Sequence, residues 1–119
     1  MQATTLDLEH HCPCRPLNYL MGKNGYVYIM SNEYRDVIYI GVTSNLQDRS
    51  HEHKTGIGSV FTTKYKCTDL IYFECFDDIR PAIDREKELK RYKRAWKFQL
   101  IKSQNPKMRD LYDDVEGYT

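Results

Sequence analysis

Two short runs rich in β-branched and aromatic residues lie close together in the first half of the chain, and their spacing restricts the fold more than any other feature. The runs cover residues 26–30 and 37–43, and only the six turn-rich residues 31–36 separate them. Val, Ile and Tyr favour extended backbone, and two such runs joined by a short polar segment are typical of an antiparallel hairpin. We therefore predict a β-hairpin on which the rest of the domain is assembled.

A helix is expected directly after the hairpin. Ser44 and Gln47 have the spacing of a capping box, in which two side chains satisfy backbone donors that the first helical turn leaves unpaired. A helix that begins at about residue 45 should end near Gly56, because glycine tolerates the left-handed backbone of a helix C-terminus. Residues 55–66 include two glycines and predict a loop.

The second half of the chain adds one strand and further helix. Residues 70–76 are again β-branched and aromatic, and Asp78 and Pro81 suit the first turn of a helix, where proline's missing donor does no harm. Helical sequence continues to about Ser103, with a break near residues 92–93. The order β-β-α-β-α(-α) predicts an α+β fold, with a small three-stranded, mostly antiparallel sheet flanked by helices.

One domain accounts for most of the 119 residues. The regular pattern covers residues 25–112, whereas residues 1–24 lack periodicity and are interpreted as a poorly specified leader, and residues 113–119 as an acidic tail. No apolar run approaches the roughly 20 residues that span a bilayer, and the N-terminus lacks a secretory pattern. These absences favour a cytoplasmic protein with no membrane partner.

Positive charge is concentrated in one segment. The net charge of the whole chain is +1, but residues 80–110 carry 11 basic and 4 acidic side chains, which is a net charge of +7. A local field of this strength attracts polyanions whatever the average charge. A solvated helix face has the same composition, so the charge alone leaves both interpretations open.

Three charged or polar side chains occupy helix positions that should face the core. Glu86 shares an apolar stripe with Leu89, and Arg49 and His53 share one with Leu46. Burial of an unpaired carboxylate is costly, so Glu86 needs a hydrogen-bonded partner, a cation or an opening in the core. The structural alternatives are a buried pair at Glu86 and an Arg49 side chain that reaches water.

Strand tyrosines complete this set of polar groups. Tyr26 and Tyr28 point to one face of the first strand, and Tyr39 lies on the face opposite Ile38 and Ile40 in the second. Most strand tyrosines only pack in the core or at its rim. Together, however, an acid, an arginine, a histidine and phenols beside a basic segment suit a phosphodiester held near a hard cation.

Several of these residues stand in motifs of a known family. Tyr26-Val27-Tyr28 is followed by Tyr39-Ile40-Gly41, and Arg49, His53 and Glu86 follow downstream. With these motifs the chain resembles the GIY-YIG nuclease superfamily, and most of all its short stand-alone bacterial group of excinuclease-subunit-like endonucleases. The resemblance covers about the whole predicted domain.

The resemblance implies a metal-dependent endonuclease that hydrolyses DNA phosphodiester bonds with one divalent ion, Mg²⁺, for which Mn²⁺ can substitute, held by Glu86. It implies catalytic roles for Tyr28, Tyr39, Arg49, His53 and Glu86, and either tyrosine can be the general base, with Tyr39 slightly favoured. The expected substrate is branched or damaged DNA, in structure-selective repair or recombination. The side chains expected to follow the phosphate backbone are Lys54, Lys64, Lys87, Lys90, Arg91 and Arg94.

Two other functions fit parts of the sequence. A non-catalytic nucleic-acid-binding domain would use the same fold and the same basic segment without hydrolysis. A small zinc-binding interaction protein would use four residues near the N-terminus, although their spacing is tighter than that of a usual four-ligand site. These residues are His10, His11, Cys12 and Cys14. The sequence predicts no oligomeric state.

Overall fold

The computed structural model describes residues 24–115. All but one residue of the predicted leader, the four potential zinc ligands, and residues 116–119 of the predicted tail lie outside the described residues. The strands are β1 (Gly25–Ser31), β2 (Ile38–Thr43) and β3 (Asp69–Phe76). The helices are α1 (Leu46–Lys54), α2 (Val60–Lys64), α3 (Ile79–Lys90) and α4 (Arg94–Gln104), followed by a 3-10 helix (Tyr112–Val115).

The three strands form an antiparallel sheet in the order β2-β1-β3. Every residue of the central strand β1 is buried. A strand that is covered on both faces has no polar side to show, which explains why residues 26–30 form a continuous apolar run and not an alternating one. The predicted α+β fold, with its three-stranded sheet flanked by helices, is confirmed.

Each face of the sheet has its own apolar core. Tyr26 and Tyr28 belong to the core that includes Leu46 of α1, and Tyr39 packs against that core. The residues that alternate with them on the strands, Val27, Ile29 and Ile40, belong to the second core, with Ala82, Leu89 and Ile101 of the last two helices. The tyrosine positions predicted from strand alternation are therefore correct, and the phenols lie on the α1 side of the sheet.

The capping prediction for the first helix was wrong in its residues. Asn45 is the N-cap of α1, and its side chain accepts a hydrogen bond from the backbone N–H of Asp48 at 3.1 Å. With Asn45 as the cap, Ser44 and Gln47 do not occupy the two positions of a capping box. Asparagine is as good an N-cap as serine, so the helix begins where expected although a neighbouring residue caps it.

Helix α2 was also missed, because residues 55–66 predicted a loop. Ser59 caps this helix by accepting a hydrogen bond from the backbone N–H of Thr62 at 3.1 Å. A helix of five residues is too short to show a helical period in the sequence. The capping residue Ser59 was the one sequence signal for this helix. The helix is important because it positions Thr62 in the site described below.

The last two helices follow the prediction closely. Asp78 caps α3 through the backbone N–H of Ile79, and the expected break near residues 92–93 separates α3 from α4. The buried stripe of α3 consists of Ala82 and Leu89. Glu86, which was predicted to share this stripe with Leu89, is half-buried at its edge. None of the described helices has the length and apolar character needed to cross a membrane.

Candidate active site

Tyr28 lies in the middle of the central strand with only 2% of its surface exposed. Gly41 of β2 is its direct partner across the sheet. A Cβ atom at Gly41 would lie 2.5 Å from both the Cζ and the Oη atom of Tyr28, closer than real carbon atoms approach. Glycine at this position therefore makes the room in which the phenol of Tyr28 lies across β2.

His53 links the phenol of Tyr28 to helix α2. Its ring is buried, with Nε2 3.2 Å from Oη of Tyr28 and Nδ1 3.0 Å from Oγ1 of Thr62. The hydroxyl of Thr62 donates to the backbone carbonyl of Ser59 at 3.1 Å. Because that bond uses the only hydroxyl proton of Thr62, we assign the Nδ1–H tautomer, in which Nδ1 donates to Thr62 and Nε2 accepts from Tyr28.

The backbone of Gly58 packs directly against the hydrogen-bonded side chains of His53 and Thr62. A Cβ atom there would lie 2.2 Å from Nδ1 of His53 and 2.8 Å from Oγ1 of Thr62. Neither Gly58 nor Thr62 was identified from the sequence, because the segment was interpreted as a loop. A glycine five residues after a candidate histidine was the only local signal.

Burial sets the protonation of the Tyr28–His53 pair. Desolvation raises the pKa of Tyr28 well above its ordinary value, and the nearby negative groups raise it further. Desolvation, followed by the positive charge of Arg49, lowers the pKa of His53 to about 4. Both groups are therefore uncharged at neutral pH, as a phenol that donates and an imidazole that accepts.

His53 should make the fold sensitive to acid. Its pKa is about 4 in the folded protein and 6.5 ordinarily, so the unfolded chain binds this proton first as the pH falls. The free energy of unfolding should decrease between these two values, by about 3 kcal/mol in total. Urea unfolding of the wild type, His53→Gln and the exposed-site control His51→Gln at about pH 7 and about pH 4 measures this. A loss in His53→Gln as large as that in the wild type would contradict the assignment.

Arg49 lies on α1 one turn before His53. Its side chain is 41% exposed, and Nη1 lies 2.8 Å from Oε1 of Glu52. The guanidinium thus reaches water, which is the structural alternative considered for it, whereas His53 is buried as predicted. The charge of Arg49 nevertheless lowers the pKa values of both Tyr28 and His53, which places it beside the pair.

Glu86 brings a negative charge from α3 to the same phenol. Its carboxylate raises the pKa of Tyr28, and its side chain is 14% exposed. Oε2 lies 2.6 Å from Nζ of Lys90, one turn further along the helix. Glu86 is therefore partly covered and paired with a lysine, and the arginine and the carboxylate both act on one hydroxyl.

Tyr39 completes the group. Its ring centroid lies 6.4 Å from that of Tyr28 and 5.8 Å from that of His53, and it is only half-buried. Of the other four residues predicted to be catalytic, His53 forms a hydrogen bond with the Tyr28 hydroxyl, Tyr39 packs beside the Tyr28 ring, and the charges of Arg49 and Glu86 act on the pKa of Tyr28. Their roles in a reaction stay predictions.

Glu86 is a carboxylate at this site that could bind a metal ion. The described residues contain no group of three or more His, Cys, Asp or Glu side chains that could enclose an ion. Oε1 of Glu86 accepts no hydrogen bond within the described part of the chain. A single, partly exposed carboxylate is compatible with Mg²⁺, which takes one or two protein oxygens and completes its shell with water and phosphate oxygens. It is not compatible with structural zinc, which needs four protein ligands.

The predicted DNA contacts fall into two groups. Lys87, Lys90, Arg91 and Arg94 are exposed along α3 and the start of α4, although Arg94 also donates to a backbone carbonyl. Lys64 is exposed on α2. These five side chains are accessible to a polyanion.

Lys54 is different, because its ammonium is already compensated. It contacts carboxylate oxygens of both Asp69 and Asp110. Asp110 in turn accepts from the backbone N–H of Leu70, so these ion pairs tie α1 to β3 and the C-terminal segment. This geometry assigns Lys54 a structural role, and we remove it from the proposed interface.

Comparison with known proteins identifies the family. The GIY-YIG catalytic domain matches residues 24–99. The chain belongs to the GIY-YIG family. This is a family of nucleases, and its domain implies nucleic-acid binding, so the resemblance found in the sequence is confirmed. The match includes the Tyr28, Gly41, Arg49, His53 and Glu86 positions described above.

The relatives that this chain matches are short proteins. A UPF0213 protein of Clostridium perfringens is 38% identical over 90 residues, which covers 76% of this chain and 96% of the relative. A UPF0213 protein of Syntrophus aciditrophicus is 38% identical over 87 residues, covering 72% and 97%. One of Haloquadratum walsbyi is 38% identical over 78 residues, covering 65% and 88%. No solved structure matches the chain.

Proposed function

We propose that this GIY-YIG protein is a metal-dependent endonuclease that hydrolyses DNA phosphodiester bonds with Mg²⁺, for which Mn²⁺ can substitute. The environment of the Tyr28 hydroxyl gives the strongest support. Its Oη atom lies 3.2 Å from Nε2 of neutral His53, and the charges of Arg49 and Glu86 both act on the pKa of Tyr28. Hydrolysis of a phosphodiester needs a proton acceptor, a fixed cation and a metal-binding oxygen near one point. In this proposal His53 is the final proton acceptor, Arg49 is the cation and Glu86 provides the metal-binding oxygen.

The Tyr28–His53 pair provides a path for the proton of the attacking water. A Tyr28 phenolate is unfavourable at neutral pH, because the pKa is raised. The neutral phenol can instead accept the proton of water while its own proton passes to Nε2 of His53, and the negative charge that develops on the phosphate offsets part of the cost of protonating an imidazole whose pKa is about 4. This makes Tyr28 the general base, in place of the Tyr39 that the sequence favoured, and leaves Tyr39 to line the site.

Arg49 and Glu86 act on the phosphate. Only Nη1 of Arg49 is paired with Glu52, so the other N–H groups of its fork are available to the charge that develops on the pentacoordinate phosphorus. Glu86 would hold Mg²⁺ through its half-open carboxylate. Bound there, the ion would supply positive charge to the phosphate oxygens and would favour ionisation of water.

Metal removal tests the proposal directly. Purified protein should nick supercoiled plasmid or cut branched DNA with Mg²⁺ or Mn²⁺, lose the activity in EDTA, and regain it when Mg²⁺ is restored. Faster cutting of a junction than of linear duplex would support a structure-selective enzyme of repair or recombination. Cleavage that persists in EDTA would contradict the metal requirement. DNA binding without cleavage under every condition would favour the non-catalytic binding domain.

DNA affinity should fall steeply with salt. Four exposed cations lie along α3 and α4 (Lys87, Lys90, Arg91 and Arg94), and each phosphate they neutralise releases counterions. The slope of log K against log salt should be about −3 to −4, and Arg91→Gln should reduce its magnitude by about one. Fluorescence anisotropy of a labelled duplex in EDTA measures this. Lys54→Gln is the comparison, with an unchanged slope expected, and a wild-type slope near zero would reject the basic interface.

A further inference from the structure

An aromatic surface extends outward from the candidate active site along α2. The ring of Phe61 stacks on that of Tyr39, with centroids 5.8 Å apart and planes 30° apart, and Tyr65 follows with its centroid 4.7 Å from that of Phe61. Tyr39 in turn contacts the ring of His53. We call Tyr39, Phe61 and Tyr65 the aromatic ladder. It leads without interruption from the hydrogen-bond chain of the site to solvent.

The outer part of the aromatic ladder is open. Phe61 is 40% exposed and Tyr65 is 42% exposed. Single exposed apolar residues are common on protein surfaces, but a contiguous group at a site indicates a binding surface. The described part of the chain leaves these rings available to a partner.

The charge of this surface favours a nucleic-acid strand as that partner. Residues 55–68 contain two lysines and no acidic residue. Nζ of Lys64 lies 5.4 Å from the ring centroid of Tyr65, and Lys66 is exposed two residues later. Rings that stack bases and lysines that follow the phosphates are the two components of single-strand binding surfaces. An acidic or purely apolar partner would match only one of these components.

We propose that the aromatic ladder stacks unpaired DNA bases beside the scissile phosphate, so that the substrate is a single strand or the single-stranded arm of a branched DNA. A paired base keeps its faces within the duplex and exposes only its edges, so the ladder can hold only bases that are out of the helix. The statement about cleavage depends on the proposed nuclease function. The stacking itself does not.

Binding in EDTA tests the stacking without any hydrolysis. The probe is the full chain with a labelled DNA strand of about twelve nucleotides that carries 2-aminopurine, compared with a fully paired hairpin duplex. Phe61→Leu and Tyr65→Leu keep an apolar side chain but remove the ring, and Val60→Ala on the same helix is the control. Each ring variant should bind the single strand about tenfold more weakly and quench 2-aminopurine less, whereas Val60→Ala and duplex binding should be unchanged.

Several outcomes would overturn the inference. Unchanged single-strand affinity in both ring variants would do so, and so would an equal loss of duplex binding. Tighter binding of a matched RNA strand than of DNA would reject the assignment to DNA. With Mg²⁺, Tyr65→Leu should slow cutting of a forked DNA about tenfold, and an equal effect on paired duplex would mean that the ring acts on the site and not on unpaired bases. If the wild type binds single strands through the ladder but cuts nothing, the stacking stands and the nuclease proposal fails.

Discussion

Glu86→Gln should lower the rate of DNA cleavage by roughly a hundredfold to a thousandfold and leave the fold intact. The amide has the shape of the carboxylate but carries no charge, so it cannot hold Mg²⁺ comparably beside the phosphate. The cost to stability should be small, because the protein partner of Glu86 is Lys90, which is 53% exposed and one helical turn away. Pairs of this kind are worth only about 0.3–0.5 kcal/mol.

The measurement is the single-turnover cleavage rate as a function of Mg²⁺ concentration, together with a thermal melt. Glu88→Gln is the matched control: Glu88 lies on the same helix, is 49% exposed and pairs with Arg85 at 3.0 Å. We expect the control to keep the wild-type rate. Wild-type cleavage by Glu86→Gln at low Mg²⁺ would remove Glu86 from the mechanism, and a large loss of stability would mean that its role is structural.

Gly41→Ala should reduce both activity and stability through the addition of a single methyl group. The new Cβ would lie 2.5 Å from Oη and Cζ of Tyr28 and 3.0 Å from Cε2 of Tyr39. The phenol must therefore move away from β2 and from the hydrogen bond with His53. Overpacking of this kind costs about 1–3 kcal/mol, and displacement of a catalytic group by about 1 Å costs roughly a hundredfold in rate.

Gly56→Ala separates the contact from the general effect of replacing a glycine. Gly56 has a φ of +86°, and no atom lies within 4 Å of the position that an added methyl group would take. Its replacement should cost about 1 kcal/mol of backbone strain and leave the rate unchanged. In Gly41→Ala, a second change of Tyr28→Phe should recover part of the lost stability in urea unfolding, because the hydroxyl is one of the two clashing atoms. Full activity in Gly41→Ala would show that the phenol needs no fixed position.

Local chemistry was sufficient for most of the fold. Residues 26–30 and 70–76 were identified as strands because β-branched and aromatic residues favour extended backbone whatever surrounds them, and a helix start was predicted at Asp78 and Pro81 because helix-start signals involve only neighbouring residues. The same reasoning failed for α2, because five residues carry too little periodic information. It also chose Ser44 over Asn45, since adjacent residues with similar capping ability cannot be ranked by pattern.

The candidate site divides in a similar way. Tyr28, Tyr39, Arg49, His53 and Glu86 could be selected from motif and helical spacing, because each is a chemical type in an unusual local position. Their protonation states could not be predicted from the sequence. The low pKa of His53 comes mainly from burial, and burial arises only when separate elements of the fold pack together.

The sequence by itself therefore determined the elements, their order and the chemical types at the site, because these depend on residues close together in the chain. Only the tertiary structure decided which basic side chains are available to bind DNA. Lys54 is not among them, because its charge is compensated by Asp69 and Asp110, which lie 15 and 56 residues away in the sequence. The tertiary structure also decided that Gly41 makes room for Tyr28 and that Thr62 orients His53. Contacts between distant segments are set by packing, and packing is not encoded in any one stretch of the chain.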